Sequence, residues 1–347
     1  MTILITGGAG FLGLHLAHFF IKKGWHVKLF DIAPYPKGEY PDSVECLTGD
    51  VRSKKSLLKA IKGVNIVIHA AAALPLKSGS EIMATNVLGT RNVLEVSQMN
   101  RVKQVVYISS TAVYGVPEKH PVYEVDPMVG VGPYGESKIA AEKLCQDFRK
   151  KGLIVTVIRP KTFVGTHRLG VFEILFDWIK DNKRIPVVGS GKNRYQLLEV
   201  SDLVFAIYSC VSHKNKKEVN TVFNVGASEF KTVKADLLAM FKKVGSKSRI
   251  LPTPVFPIKT ALMIFEYLKL SPLYKWVYAT ADKDSFVSIE KIRKITHWKP
   301  KYSNTESLVK AYRWYETHYD EIKSRPAGTT HTVGWKQGIL GLFKRFL

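Results

Sequence analysis

A chain of 347 residues can bury a sizeable core, as one large or two modest domains, and its 46% apolar content excludes general disorder. A formal net charge of +23 asks for an anionic partner or a lysine-coated surface; lysine outnumbers arginine 39 to 13 and no nucleic-acid motif is present, so no nucleic-acid partner is expected. Three scattered cysteines, Cys46, Cys145 and Cys210, exclude a disulfide framework, and the ten histidines show no ligand spacing, so no metal is expected.

Ile3, Leu4 and Ile5 form a short apolar run that predicts a buried parallel strand. Gly7, Gly10 and Gly13 follow at G-x-x-G-x-x-G spacing, and an amphipathic pattern predicts a helix from Phe11 to Lys23. Strand, glycine turn and helix N-terminus together make a phosphate site, because backbone N–H groups can approach a diphosphate and the helix dipole favours its charge. His26–Phe30 predicts the next strand, with Asp31 at its end. An acid there accepts hydrogen bonds from an adenosine ribose and repels a 2′-phosphate. The following residues, IAPYP, carry no arginine to hold one, so NAD is expected rather than NADP. A strand that begins at once leaves no room for a signal peptide, and no apolar run reaches the ~18 residues of a membrane span; a cytoplasmic setting is expected.

The alternation continues along the first half. VNIVIHAA, QVVYISS and IVTVIRP read as strands; SLLKAIKG, ATNVLGTRNVLEVSQM and YGESKIAAEKLCQDFRK read as the helices between them. Alternating β and α units predict an α/β, doubly wound parallel sheet with right-handed crossovers. Ligands gather beyond the C-terminal ends of such strands, which selects Asp50-Val51, Ala70-Ala71-Ala72, Ser109-Ser110-Thr111 and Arg159-Pro160. Tyr134 and Lys138, four apart in GPYGESK, share one helix face. A free tyrosine, with a pKa near ~10, is a poor base; a lysine ammonium and a nicotinamide cation beside it favour the phenolate. Tyr134 can then take a proton from a substrate alcohol as hydride leaves for NAD, with Ser110 bonding the same oxygen.

These motifs resemble the extended short-chain dehydrogenase/reductase superfamily, and within it the NAD-dependent epimerase/dehydratase family of sugar nucleotides. The resemblance rests on GGAGFLG (7–13), Asp31, Gly49-Asp50-Val51, His69-Ala70-Ala71, Asn86, ISSTAVYG (108–115), PYGESK (133–138), Arg159-Pro160, 189–203, 223–226 and 298–303. It implies a Rossmann sheet with a smaller C-terminal substrate domain. NAD contacts then fall on Gly7, Gly10, Phe11, Leu12, Gly13, Asp31, Asp50, Val51, Ala70, Ala71, Ala72, Asn86, Ser109, Tyr134, Lys138 and Pro160. Asp50 and Val51 would flank adenine, and Ser109, Tyr134, Lys138 and Pro160 the nicotinamide riboside. Ser110, Tyr134 and Lys138 would be catalytic; Thr111, Thr162 and Arg194 would face substrate.

Departures from the family pattern narrow the reaction. Dehydratases carry Asp-Glu where this chain has Thr111-Ala112, and decarboxylases keep a Glu at the second position. The remaining pattern is similar to that of 4-epimerases, in which NAD takes hydride from C4 and returns it to the other face. Thr162 replaces a usual Asn, Arg194 is one residue out of register, and 279–288 lacks an arginine. The apolar, amphipathic stretch 255–278 is more similar to steroid- and lipid-active reductases, or is a substrate-domain helix packed on the core. The readings are therefore a nucleotide-sugar epimerase, an NAD(P)-dependent dehydrogenase/reductase of a lipid-like alcohol, and a non-catalytic NAD sensor; intact Ser110, Tyr134 and Lys138 oppose the last.

The cofactor domain is expected at 1–165 with 203–225 returning to its sheet, the substrate domain at 166–323 without that segment, and a linker and basic tail at 324–347. A homodimer is also open. In the tail, Trp335, Ile339, Leu342, Phe343 and Phe346 recur at helical spacing beside Lys336, Lys344 and Arg345. It is expected either on the inner membrane face, by lipid attraction, or docked on protein.

Overall fold

The computed structural model describes residues 1–268, 270, 273, 275–324, 337–344 and 347. The strands of the first half are β1 (Thr2–Thr6), β2 (His26–Asp31), β3 (Glu45–Thr48), β4 (Ile66–His69), β5 (Gln104–Ile108) and β6 (Val155–Pro160). Short strands β7 (Phe163–Val164), β8 (Arg184–Val188) and β9 (Leu198–Glu199) follow, then β10 (Val222–Val225) and β11 (Arg249–Thr253). Seven of these form one parallel sheet in the order β10-β6-β5-β4-β1-β2-β3. β4, β5 and β6 are buried along their whole length, which is why their sequences are continuous apolar runs and not alternating ones.

The connections are α1 (Phe11–Lys22), α2 (Lys54–Ala60), α3 (Gly79–Met83), α4 (Gly89–Met99) and α5 (Gly132–Lys150). α6 (Val171–Lys180) and α7 (Val200–Ser212) come after β6. On one face, Leu16 and Phe20 of α1 pack with Leu203 and Ile207 of α7. On the other, Leu57 of α2, Val93 of α4 and Cys145 of α5 share a second core. The sheet is thus covered on both sides. β10 pairs with β6, Val225 opposite Pro160. The predicted helix at 84–99 is interrupted by one wide π turn over Ala84–Leu88 before α4.

A third core lies outside the sheet. It joins Phe172 and Phe176 of α6 to Leu237 and Phe241 of α8 (Val233–Val244) and to Leu308, Tyr312 and Tyr315 of α12 (Asn304–Thr317). The stretch 255–278 is not one packed helix. It divides into α9 (Val255–Tyr267) and α10 (Lys275–Thr280), and only Leu262 of α9 is buried while Phe256 and Tyr267 are exposed. α11 (Glu290–Thr296) and α13 (Tyr319–Ser324) flank α12, and α14 (Ile339–Lys344) ends the series.

The described part of the tail takes the docked placement. Lys344 pairs with Asp177 and Asp181 of α6, Gln337 Nε2 donates to Asp177 at 2.7 Å, and Leu340 and Leu347 pack on the third core. Trp335, Lys336, Arg345, Phe346 and most of the linker lie outside the described residues. Among the described residues no helix is long and apolar enough to cross a membrane.

His69, at the end of β4, is clamped between Thr6 Oγ1 (2.7 Å) and Thr90 Oγ1 (3.0 Å). Burial, with the nearby Lys138 charge, pulls its pKa down to about 3, and burial pulls His15 of α1 down to about 4. Both are neutral in the native state and bind protons near ~6.5 once unfolded. Stability is therefore present above that value and lost as pH falls through the window toward the folded values, with a slope of up to ~1.4 kcal/mol per pH unit for each group. Denaturant titrations from pH 7 to pH 4 should show this loss, and His69→Asn should flatten it; an unchanged slope in that variant contradicts the assignment.

Candidate active site

The strand order reverses about β1, whose neighbours are β2 and β4, and a crevice opens at the C-terminal ends of the strands there. A cavity of about 1170 Å³ runs from this crevice past β5 and β6 to the third core. Gly7 takes φ +73° at the turn, and a Cβ on it would lie 2.7 Å from the Ala71 nitrogen. A Cβ on Gly13 would strike the Gly7 and Gly8 carbonyls. These glycines let the loop lie flat against Ala70-Ala71-Ala72, which line the same cavity. Gly10 stands at the N-cap of α1 with no side chain to cap it, and no acid occupies the first turn. Phe11 and Leu12 line the cavity there, so the first amides of α1 and its dipole suit a diphosphate.

Asp31, at the end of β2, lines the same cavity. Its Oδ2 accepts from the Ala9 amide (3.0 Å) and its Oδ1 from Ala33 (2.9 Å). Burial pushes its carboxyl above the usual aspartate value, against these amides. Asp50 and Val51 also line the cavity, but the Asp50 carboxylate is engaged by Arg52, Nη2 to Oδ2 at 2.6 Å. Arg52 lines this end too and was not foreseen; its pairing with Asp50 neutralises it. Asn86 is not in the wall. It is buried behind it, bonding Ala73 through both backbone groups and donating to Ser137 Oγ at 3.0 Å. Its role is to hold the loop after β4 against α5.

The reacting end is built by β5 and α5. Pro133 starts the helix and places Tyr134 in its first turn, half-buried at the cavity wall. Lys138 is one turn on. Its Nζ donates to the Ile108 carbonyl at 2.9 Å and lies 5.8 Å from the centre of the Tyr134 ring. Burial pulls the Lys138 ammonium down to about 8. Ser110 leaves the end of β5 and accepts from the Ala112 amide at 3.1 Å, which fixes its hydroxyl at the same wall. Ser110, Tyr134 and Lys138 thus line one stretch of the cavity wall.

Ser109 also lines the cavity, while its Oγ donates to Glu142 at 2.5 Å. Arg159 is buried in an ion pair with Glu142 (2.6 Å) and bonds Tyr114 Oη at 2.7 Å, so it braces the sheet and does not meet ligand. Pro160 lines the cavity as predicted.

At the substrate end, Thr111 and Thr162 both line the cavity, Thr162 Oγ1 lying 3.1 Å from Tyr195 Oη. Arg194 does not reach it. Arg194 is exposed, its guanidinium lies over the adjoining rings of Phe230 and Phe286, at 4.9 and 4.5 Å from their centres, and its amide donates to Asp284. Cation–π contact with this aromatic pair outcompetes an inward turn. Besides Arg52 and Lys77, the cations in the wall that were not foreseen are Lys161 and Arg168, the latter stacked over Phe11, Phe163 and Phe172. For Lys161 the signal was a basic residue just past the end of a buried strand, the position that supplies ligands in this architecture.

The profile of the NAD dependent epimerase/dehydratase family matches residues 3–226. The chain belongs to this family and is an NAD-dependent enzyme. The uncharacterized protein y4nG of Sinorhizobium fredii is 32% identical over 343 residues, 98% of this chain and 85% of its own. A UDP-glucose 4-epimerase of Halalkalibacterium halodurans is 27% identical over 349 residues, 92% of this chain and 96% of its own. In fold, a UDP-glucuronic acid 4-epimerase of Bacillus cereus, solved with NAD, superposes with a TM-score of 0.74 at 21% identity, over 92% of this chain and 100% of that one.

Asp31→Ala should narrow the gap between NAD and NADP affinity in titrations of the purified protein; a parent protein that binds NADP as tightly as NAD would contradict the role given to Asp31.

Proposed function

We propose that this chain is a nucleotide-sugar 4-epimerase. The observation that carries the reading is the wall beside Tyr134. Ser110, Tyr134 and Lys138 converge there, while the next two positions, where a dehydratase needs acids, are the buried Thr111 and Ala112. The acids elsewhere in the wall are committed: Asp31 to the Ala9 and Ala33 amides, Asp50 to Arg52, Glu81 to Lys77, Asp236 to Asn304 and Thr305, and Glu266 to Tyr278. None is left to expel a hydroxyl.

Bound NAD supplies a reversible hydride acceptor. Ser110 Oγ orients the substrate alcohol toward Tyr134. Tyr134 Oη removes its proton, and the Lys138 ammonium stabilises the phenolate so formed. The same Tyr134 proton returns to the oxygen when the other face is reduced, so the residues end as they began. The threonines of the wall, with Tyr195, offer hydroxyls to a sugar ring.

A second reading, oxidation or reduction of a lipid-like alcohol, is favoured by one observation. Arg194 is turned out, and Leu175, Ile185, Val187, Leu197 and Leu237 line the far end of the cavity. The two readings differ in stoichiometry. An epimerase interconverts UDP-glucose and UDP-galactose with no net NADH, whereas a reductase consumes NADH steadily, so absorbance of the cofactor during turnover separates them. Steady consumption overturns the epimerase reading. Under either, Tyr134→Phe should lose ~10²–10⁴-fold in turnover and keep NAD affinity; turnover at the parent rate would overturn the mechanism.

A further inference from the structure

We infer that the cavity holds a carboxylate of its substrate on Lys161. The inference rests on reading the cavity as an alcohol-oxidising site, and not on whether the alcohol is a sugar or a lipid.

Lys161 follows Pro160 at the end of β6 and is 2% exposed, yet it lines the cavity. Its Nζ donates to Ser285 Oγ at 2.6 Å and lies 4.9 Å from the centre of the Tyr195 ring. An ammonium has three protons to donate, and among the described residues no carboxylate pairs with this one. A buried charge without a counter-ion is costly, and burial pulls the ammonium down to about 7. Neither the fold nor the mechanism above uses it: its neighbours in the wall, Thr162 and Tyr195, are neutral, and Ser285 and His120 stand behind the wall.

Its position tells which part of a ligand it meets. Ile108 and Ile158 are register partners across β5 and β6, so Ser110 and Pro160 leave the sheet side by side, and Lys161 is one residue farther along. The dinucleotide crevice lies on the opposite side of β5, at β4 and β1. The reacting alcohol at Ser110 therefore stands between the cofactor and Lys161. Of the other unforeseen cations, Arg52 is paired with Asp50, Lys77 with Glu81, and Arg168 lies over Phe11, Phe163 and Phe172. Lys161 is thus left for the substrate, near the carbon that reacts.

One ammonium ringed by neutral hydroxyls suits a monoanion. A phosphate dianion in the same place would bury more charge than it meets. A carboxylate beside Lys161 restores the protonated form and accepts from Nζ. The substrate class is therefore a hydroxy acid, with its carboxylate close to the alcohol that is oxidised.

The test uses the NAD-loaded full chain and two matched pairs in calorimetric titrations: UDP-glucuronic acid with UDP-glucose, and 3-hydroxydodecanoate with its methyl ester. In whichever pair binds, the acid should bind about tenfold or more tightly than its neutral partner, the worth of a charge-assisted hydrogen bond. Lys161→Met should bring the acid down to the affinity of the neutral member, whose continued binding shows that the variant is folded. Equal affinities in the parent, or a preference that survives Lys161→Met, overturn the carboxylate site and leave the proposed function standing. If none of the four binds, the carboxylate site and the proposed function both fall.

Discussion

The buried ion pair between Arg159 of β6 and Glu142 of α5 determines where the reacting groups can be. Glu142 lies one turn beyond Lys138 and two beyond Tyr134 on the same helix. Arg159 grips it with Nε and Nη2, Ser109 adds a hydrogen bond from the end of β5, and Tyr114 links Arg159 to Asn224 of β10. Three strands and the helix are thereby fastened at one point. Loss of either charge would leave the other buried alone, at a cost of about 3–5 kcal/mol. This bracing holds Tyr134 and Lys138 at the mouth of β5, and it explains why Ser109 and Arg159, placed at strand ends where ligands gather, serve the frame.

The frame divides the cavity by strand. The glycine turn after β1, Asp31 after β2 and the alanines after β4 make a cofactor half whose polar groups are mainly backbone amides. Ser110 after β5, and Pro160 to Thr162 after β6, make a substrate half whose polar groups are side chains. Backbone donors recognise what every member of the family binds, whereas side chains recognise what distinguishes them. The substrate half is also where this chain departs most from the sugar-nucleotide pattern, with Arg194 outside and Lys161 inside.

The order of strands and helices, the glycine turn, Asp31, Ser110, Tyr134 and Lys138 were legible in the sequence because each depends on neighbours within a few residues. Periodicity, turn chemistry and helical spacing are local. What was not legible depends on partners far along the chain. Arg194 is captured by Phe230 and Phe286, and Asn86 by Ala73 and Ser137. Ser109 is captured by Glu142, which reads as an ordinary helix-surface acid until β6 brings Arg159 to it. The stretch 255–278 has the apolar content of a core helix, yet its break into α9 and α10 leaves most of α9 outside any core. The tail likewise kept two placements open until Asp177 and Asp181 of α6 supplied partners for Lys344.

The central claim is that one alcohol loses hydride to NAD beside Tyr134 and regains the same hydride on its other face. UDP-glucose and UDP-glucuronic acid, each deuterated at C4, incubated with the NAD-loaded protein in ordinary water, test it directly. The account predicts a C4-inverted product that keeps its deuterium and forms more slowly than from unlabelled substrate. Loss of the deuterium to water, or labelled substrate recovered without inversion at C4, would contradict it.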